Sequence, residues 1–348
     1  MAQLTHRRSE LLAMGFDDRS IAKALRGDHS ELVRLLRGTY STRESLRRAG
    51  TTTNKPATAD VEAEAAWLVQ LDAHLRRSGP TAVVGLRSAA RLHDLDGYRE
   101  TPHLDTLTAA KHHVREAYVH RTRTLNPHDV ISLGGFQCTS LERTLLDLGR
   151  VCTADEVEFA LESALRDPDP KRPDRFDRHL LNTLTQRVEV VGPRTGAAVI
   201  RQVLRRRLPV GCRPTGSYAE TALGQGFRKV GLHQVVRQAD VTFLRRGEID
   251  CRYFADFLFP DRLLIVEVNG AAPRAGATMT AGDVARMNVL QDVFRVHIVS
   301  GRDAVQNPYA SASVVLGIFD TVAPVSFPLT KGGRTVQRTA TGIDIHLP

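Results

Sequence analysis

Two neighbouring stretches, Tyr253-Phe-Ala-Asp-Phe-Leu-Phe259 and Leu263-Leu-Ile-Val-Glu-Val-Asn-Gly270, decide the fold of the C-terminal third of the chain. Both are apolar enough to be buried central strands, and a turn at Pro260-Asp261 predicts that they form a hairpin-like pair. Each stretch also carries one acid, Asp256 or Glu267. A carboxylate on an apolar strand is costly unless it is hydrogen-bonded or binds a cation. The sequence therefore predicts that two acids are delivered to one place.

These two acids favour a magnesium site. Mg²⁺ prefers carboxylate and carbonyl oxygens in near-octahedral geometry and keeps waters for substrate and nucleophile. We therefore expect Mg²⁺ or Mn²⁺ to be held by Asp256, Glu267 and the carbonyl of Val268. Glu267 and Asn269 project from the same face of the sheet, because side chains alternate along a strand. Two structural alternatives stay open: Asp256 could bond to turn amides near Pro260, and Glu267 could pair with an arginine.

The pattern around these strands predicts an α/β domain. The expected elements are helices over residues 216–230 and 281–293 and strands over residues 234–242 and 294–300. At the start of the first helix, Ser217-x-x-Glu220 is a capping-box pattern. Glu220 is therefore open between two interpretations, a helix cap and a metal ligand.

The pattern Asp-(x)10-Glu-x-Asn, preceded by a helix that bears Glu220, resembles the PD-(D/E)XK nuclease superfamily in its DUF559 branch, which is similar to very-short-patch-repair endonucleases. The resemblance implies a restriction-endonuclease-like α/β domain with catalytic residues Asp256, Glu267, Asn269 and Glu220. It also implies a DNA contact from Arg286, on the helix after the motif strand. Asn269 stands in the place of the motif's lysine and lacks the charge that steadies the attacking hydroxide. Related domains of this branch also lack the lysine, so both an active and an inactive domain stay open.

Residues 1–50 have the order of a winged helix-turn-helix. An amphipathic helix ending at Gly15 is followed by a second helix ending at Gly27 and by an alternating stretch with a turn at Gly38. The candidate DNA contacts are basic side chains on the second helix and the wing: Arg19, Lys23, Arg26, Arg34 and Arg37. Arginine can fork to guanine edges, while the other contacts hold phosphates. A solvated basic face on a protein-interaction domain is the alternative.

Residues 61–209 are predicted to form a mostly helical α+β domain behind a linker at residues 51–60. Helices are expected over residues 61–77, 86–95, 141–148, 154–166, 176–188 and 195–207, and strands over residues 114–120 and 130–133. Thr139-Ser-Leu-Glu142 is predicted as a capping box. Arg205 and Arg206 lie at the basic end of the last helix, where they complement the helix dipole or grip DNA phosphate. A nuclease-like domain over residues 210–308 and a helix with a loosely structured tail over residues 309–348 complete the predicted multidomain α/β organisation.

A second resemblance covers residues 1–50 and 61–209. Leu35-Leu-Arg-Gly-Thr-Tyr40, Arg87-Ser-Ala-Ala-Arg-Leu-His93 and Thr139-Ser-Leu-Glu-Arg-Thr-Leu-Leu-Asp147 resemble AbiEi-type antitoxin and regulator proteins, which place a winged helix ahead of such a domain. The resemblance implies double-stranded DNA as a partner and adds a cognate toxin as a candidate partner. Two functions therefore stand side by side. One is a Mg²⁺-dependent DNA endonuclease that hydrolyses phosphodiester bonds with a metal-activated water. The other is a transcriptional regulator or type IV antitoxin-like repressor whose nuclease-like domain is inactive.

Composition sets outer limits on these hypotheses. The formal net charge of +9 favours a polyanionic partner such as DNA, although an arginine-rich composition also follows from a GC-rich genome. No apolar run reaches the roughly 18 residues of a membrane span, and the N-terminus lacks a secretory signal, so we expect a cytoplasmic protein. Four scattered cysteines without a CxxC pair argue against a zinc ribbon and a disulfide framework.

Overall fold

The computed structural model describes most of the chain beyond its N-terminal region. The residues described are 5–7, 11, 13–14, 16, 20–21, 24, 32–36, 39–42, 59–108, 119–122, 125–166, 176–191, 196–207, 213–269 and 290–347. In this part the chain is a mixed α/β protein with two compact units, Met1–Asp94 with Tyr98–Val151 and Leu95–Gly97 with Cys152–Pro348. No helix among the described residues is both long and apolar enough to cross a membrane.

The first unit begins with a small antiparallel sheet. Its strands are β1 (His6–Arg7), β2 (Leu32–Leu36) and β3 (Thr39–Thr42), in the order β1-β3-β2. Leu11 and Ile21 both lie in helical backbone and are buried together, with Phe16 and Ala24 packed against them. This region therefore has a small apolar core.

The rest of the first unit combines a five-stranded sheet with helices. The described helices are α1 (Ala59–Ser78), α2 (Leu86–Leu92) and α3 (Leu141–Leu148). The strands are β4 (Val83–Val84), β5 (Thr106–Thr108), β6 (Val119–Arg121), β7 (Val130–Leu133) and β8 (Phe136–Thr139), in the order β6-β5-β4-β8-β7. Trp67 and Leu71 of α1 pack with Val84 and Phe136 of the sheet.

Most predicted elements of this unit are confirmed to within three residues. The helix over residues 141–148 has the expected bounds, and the turn between β7 and β8 is formed by Gly134 and Gly135 at φ of 58° and 88°. Helix α1 begins at Ala59, so the last two residues of the predicted linker are helical. Of the strand predicted over residues 114–120, the structure describes only the end, which belongs to β6.

The predicted capping box at the start of α3 is wrong. The N-cap is Ser140, whose hydroxyl accepts a hydrogen bond from the backbone N–H of Arg143 at 3.4 Å. The Thr139 hydroxyl instead lies 2.7 Å from that of Thr144. Serine and threonine are both good N-caps, so the sequence pattern alone did not separate the two adjacent positions.

The second unit begins with helices and continues into a seven-stranded sheet. The helices are α4 (Ala154–Leu165), α5 (Arg178–Val190), α6 (Ala197–Arg206), α7 (Tyr218–Lys229), α8 (Gly301–Gln306) and α9 (Pro308–Thr321). The strands are β9 (Val236–Arg245), β10 (Glu248–Phe259), β11 (Leu264–Asn269), β12 (Arg295–Ser300), β13 (Leu329–Lys331), β14 (Arg334–Arg338) and β15 (Gly342–Leu347). Their order is β12-β11-β10-β9-β15-β14-β13, and the pairs β11–β12 and β9–β15 are parallel.

The central strands of this sheet are buried on both faces, as their apolar sequences predict. Consecutive residues of β11 face different cores, since Ile265 packs in one and Val266 in the other. On the second face Phe227 of α7 meets Phe257 and Phe259 of β10 edge to face, with ring centroids 5.0 and 5.5 Å apart. Helix α7 is thereby fixed over the strands that carry the predicted acids.

The predicted boundary between residues 209 and 210 falls inside this second unit. Glu158 of α4 is fully buried and forms ion pairs with Arg206, Arg228 and Arg237, which lie on α6, α7 and β9. A buried carboxylate needs such partners to offset its lost hydration. These contacts join helices that precede the predicted boundary in the chain to the sheet that follows it.

The prediction of a loosely structured tail is wrong. The helix predicted at the start of this region is present as α9, but the chain then returns to the sheet in three strands. The last strand, β15, lies in the middle of the sheet beside β9. At its start a Cβ atom on Gly342 would lie only 1.8 Å from the carbonyl oxygen of Asp240, so the strand approaches its neighbour where only glycine fits.

Candidate cation site

The predicted acids lie where β10 and β11 separate. The two strands pair from Phe259 and Leu264 as far as Phe257 and Val266. Asp256 and Glu267 are the next residues on each strand, beyond the last pair. The divergence therefore opens the sheet at the point where the two carboxyl groups are attached.

Asp256 replaces the missing ladder contact with its side chain. Its Oδ2 accepts a hydrogen bond from the backbone N–H of Val268 at 2.8 Å. The predicted alternative, bonding to turn amides near Pro260, is therefore not the contact that the structure has. The acid does bind a backbone amide, but on the partner strand at the edge of the opening.

Glu220 reaches the same place from the first turn of α7. Its Oε1 accepts from the Ser217 hydroxyl at 2.9 Å and its Oε2 from the Gly216 backbone N–H at 2.6 Å, while Ser217 is the N-cap of the helix. Oε2 also accepts from Gln238 Nε2 at 2.7 Å, and the same nitrogen lies 3.2 Å from Asp256 Oδ1. Glu220 is thus both a capping residue and a member of the acidic group.

Glu267 completes the group. Its carboxyl group lies near the Asp256 backbone N–H, the Asp256 carboxyl group and the Tyr253 hydroxyl, all of which act on its pKa. One of its oxygens, Oε1, is buried and has no hydrogen-bond partner among the described residues. No arginine of the described part forms an ion pair with Glu267, so the structural alternative of an arginine partner finds no support there.

Burial and mutual repulsion raise the pKa of all three acids. Burial, followed by the charge of Asp256, raises the pKa of Glu220 to about 7. Burial and the charge of Glu267 raise the pKa of Asp256 to about 7, and burial raises that of Glu267 to about 7 although the Tyr253 hydroxyl opposes this. Burial and Glu267 also raise the pKa of the Tyr253 hydroxyl. Carboxyl groups that hold protons near neutral pH are typical of a site that lacks a neutralising charge.

The donor set fits a divalent cation by its chemistry. Three carboxyl groups offer the hard oxygen ligands that Mg²⁺ and Mn²⁺ prefer, and one buried oxygen is without a partner. In the part of the chain that the structure describes, however, no group of three or more His, Cys, Asp and Glu side chains is arranged to hold a metal ion. The amide of Gln238 lies between two of the acids. The types of these residues therefore suit a divalent cation. The site also contains Gln238, which was not predicted from the sequence.

The remaining predicted site residues have different positions. Asn269 is exposed at the end of β11, two residues beyond Glu267. Arg205 is exposed on α6, whereas Arg206 binds Asp155 and Glu158 at 2.7 and 3.0 Å. The predicted DNA contacts that lie outside the described residues are Arg19, Lys23, Arg26, Arg37 and Arg286, together with the side chain of Arg34 in β2.

Sequence reasoning missed Gln238 and Tyr253. Tyr253 lies in the stretch that predicts β10, but an aromatic residue in an apolar strand is ordinary core and gave no separate signal. Gln238 has φ of 45°, in the left-handed region that a strand residue other than glycine rarely adopts. Nothing in its sequence context indicates that conformation.

The fold and the site together define a mixed α/β protein in which three acids, Asp256, Glu267 and Glu220, lie at the opening between two sheet strands. These three side chains are called the acidic pocket. Comparison of the chain with protein-family models and with curated proteins gives no match.

Proposed function

We propose that the protein binds double-stranded DNA and hydrolyses its phosphodiester bonds with a Mg²⁺-dependent, PD-(D/E)XK-like domain in the second unit. One observation carries this proposal: Asp256, Glu267 and Glu220 lie together where β10 and β11 separate. The Gln238 amide binds Asp256 and Glu220, and Glu267 is close enough to raise the pKa of Asp256. Buried Glu220 and half-buried Asp256 and Glu267, brought together from a helix and two strands, lower each other's stability as anions. A divalent cation is the group that relieves this repulsion.

Each residue of such a site would have its own role. Asp256 and Glu267 would hold Mg²⁺ or Mn²⁺, with assistance from Glu220 and from the carbonyl of Val268. When bound, the cation would supply a water of lowered pKa and positive charge for the scissile phosphate. Asn269, exposed beside the site, can donate hydrogen bonds to a phosphate oxygen but adds no charge. Arg286 is proposed to hold the DNA backbone, as the resemblance implies.

Delivery to DNA is proposed to come from a winged helix-turn-helix in residues 1–50. The order β1-β3-β2, with helical residues between β1 and β2 and a hairpin from β2 to β3, supports that arrangement. Arg19, Lys23 and Arg26 would then lie on the second helix, with Arg34 and Arg37 on the wing. A net charge of +9 supports a polyanionic partner, and we place the protein in the cytoplasm, where duplex DNA lies.

Incubation of the purified chain with supercoiled plasmid and Mg²⁺ or Mn²⁺ tests the catalytic proposal. The wild-type protein should nick or linearise the plasmid, EDTA should stop the reaction, and Asp256→Asn/Glu267→Gln should be inactive. Asp250→Asn is a matched control, because this acid is exposed on the same strand and pairs only weakly with Arg245. If the plasmid is left equally intact by the wild-type protein and by the double variant, the proposal is overturned.

A repressor or type IV antitoxin-like regulator is the second candidate. The uncharged Asn269 and the Gln238 amide between two acids favour it, because both features suit a domain that no longer cleaves. This candidate predicts operator binding that depends steeply on salt and needs no metal. A gene for a nucleotidyltransferase-like toxin beside this one would support it and would identify the cognate toxin partner.

A further inference from the structure

We infer that Gln238 is a positioning residue of the acidic pocket, whose amide holds Glu220 and Asp256 together without a cation and is displaced when a cation binds. The inference rests on the proposed cation site and adds to it a residue that controls its occupancy. Three features of Gln238 support it: its hydrogen bonds, its backbone conformation and its effect on the strand.

The hydrogen bonds place the amide nitrogen between two acids. Nε2 lies 2.7 Å from Glu220 Oε2 and 3.2 Å from Asp256 Oδ1. An NH₂ group has two donors, so one nitrogen satisfies both carboxylates at once. A cation that bridged the same two oxygens would have to occupy the space that this nitrogen takes.

The backbone of Gln238 is held in an unfavourable conformation. Its φ of 45° lies in the left-handed region, which costs a non-glycine residue on the order of 1 kcal/mol. Residues held in such conformations cluster at functional sites, where the surrounding contacts keep them in place. At Gln238 those contacts include the two carboxylates.

The same conformation reverses the alternation of β9. Ala239 and Val236 both pack in one core, although residues three apart on a regular strand face opposite sides. Arg237 consequently turns away from that core and reaches Glu158 at 3.4 Å. The kink at Gln238 therefore directs one side chain to the acidic pocket and the next to the buried ion pairs of α4.

Mn²⁺ titration of the full-length protein tests the inference, with calorimetry for affinity and electron paramagnetic resonance for the bound ion. Gln238→Gly removes the amide and accepts the positive φ without strain. We expect this variant to bind Mn²⁺ about tenfold more tightly than wild type, the size of one lost hydrogen bond to a charged group. Gln225→Ala is the control, because the buried Gln225 amide donates to the backbone carbonyl of Asp155 and, among the described residues, to no carboxylate. It should leave the Mn²⁺ affinity unchanged.

If Gln238→Gly binds Mn²⁺ as wild type does, or more weakly, the inference is overturned while the cation site stands. If only Gln238→Gly binds the ion, the inference is supported, and the catalytic proposal for the wild-type protein fails. If neither protein binds Mn²⁺, both the site and the inference are overturned.

Discussion

The Asp256 carboxylate accepts a hydrogen bond from the backbone N–H of Val268, with 2.8 Å between oxygen and nitrogen, just beyond the last paired residues of β10 and β11. This contact ties the acid of one strand to the backbone of the other. Glu267 lies close enough to the same carboxyl group to raise its pKa. The pocket is therefore a consequence of how the two strands part.

The first prediction concerns pH in the absence of metal. Each of the three acids has a pKa of about 7 in the folded protein and an ordinary value of 3.8 or 4.5 when exposed. Between these values the folded state binds more protons, so the free energy of unfolding falls as the pH rises through that window and is lowest above it. Urea denaturation in EDTA at pH 5, 6, 7 and 8 should show this fall.

The comparison that isolates the pocket is Glu267→Gln, which removes one titrating acid and the repulsion that it causes. Its free energy of unfolding should decline less steeply with pH than that of wild type, and it should exceed wild type at pH 8. Parallel curves for the two proteins would show that the pocket does not hold these protons.

The second prediction concerns Glu158. Removal of one partner from a buried ion pair leaves uncompensated charge, which costs about 3–5 kcal/mol. Glu158→Gln should lower the free energy of unfolding by about that amount, because Arg206, Arg228 and Arg237 all lose the Glu158 carboxylate. Arg206 keeps Asp155 and Arg237 keeps Glu162 as second partners. The control is Asp250→Asn, in an exposed pair worth about 0–1 kcal/mol. Similar losses for both variants in urea denaturation would contradict the structure.

The seven-stranded sheet shows which strands could be predicted from the sequence and which could not. The apolar runs predicted β10 and β11 and placed Asp256 and Glu267 together, because a buried strand needs a continuous apolar stretch. The strands at the C-terminus gave no such signal. In β14 only Val336 is buried, so a short strand near the edge of the sheet has the composition of a loop.

Gln238, the residue of β9 opposite Asp256, could not be predicted from the sequence for a different reason. The pairing of β9 with β10 shifts by one residue between Ile249 and Cys251. Without that bulge, continued pairing from the turn would set Arg237 opposite Asp256 instead of Gln238. A bulge depends on the tertiary packing of both strands, and a single sequence does not specify it.

The third prediction tests the central position of β15. Gly342→Ala places a Cβ 1.8 Å from the carbonyl oxygen of Asp240, so the strand must move away and the free energy of unfolding should fall by several kcal/mol, about 3 or more. Gly317→Ala is the matched control, since nothing lies within 4 Å of its Cβ and α9 gains helix propensity. If Gly342→Ala has the same melting temperature as wild type, the central position of β15 in the sheet is contradicted.

The fourth prediction concerns DNA binding. If Arg34 and Arg37 lie on the wing of a winged helix, Arg34→Ala/Arg37→Ala should weaken duplex binding at least about tenfold at low salt and should reduce the salt dependence of the affinity by about two phosphate contacts. Arg99→Ala is the control, because this arginine is exposed and pairs with Asp94. Fluorescence anisotropy with a labelled duplex measures both effects. An equal loss in the control would assign the effect to net charge alone.

Binding of Mn²⁺ to the wild-type protein and to Asp256→Asn/Glu267→Gln, followed by isothermal calorimetry at pH 8, tests the central claim most directly. The account predicts one Mn²⁺ per chain for wild type and no detectable binding for the double variant, which keeps the size and shape of both side chains but not their charge. Equal binding by the two proteins, or none by wild type, would contradict the account, because a cation would then be held elsewhere or not at all.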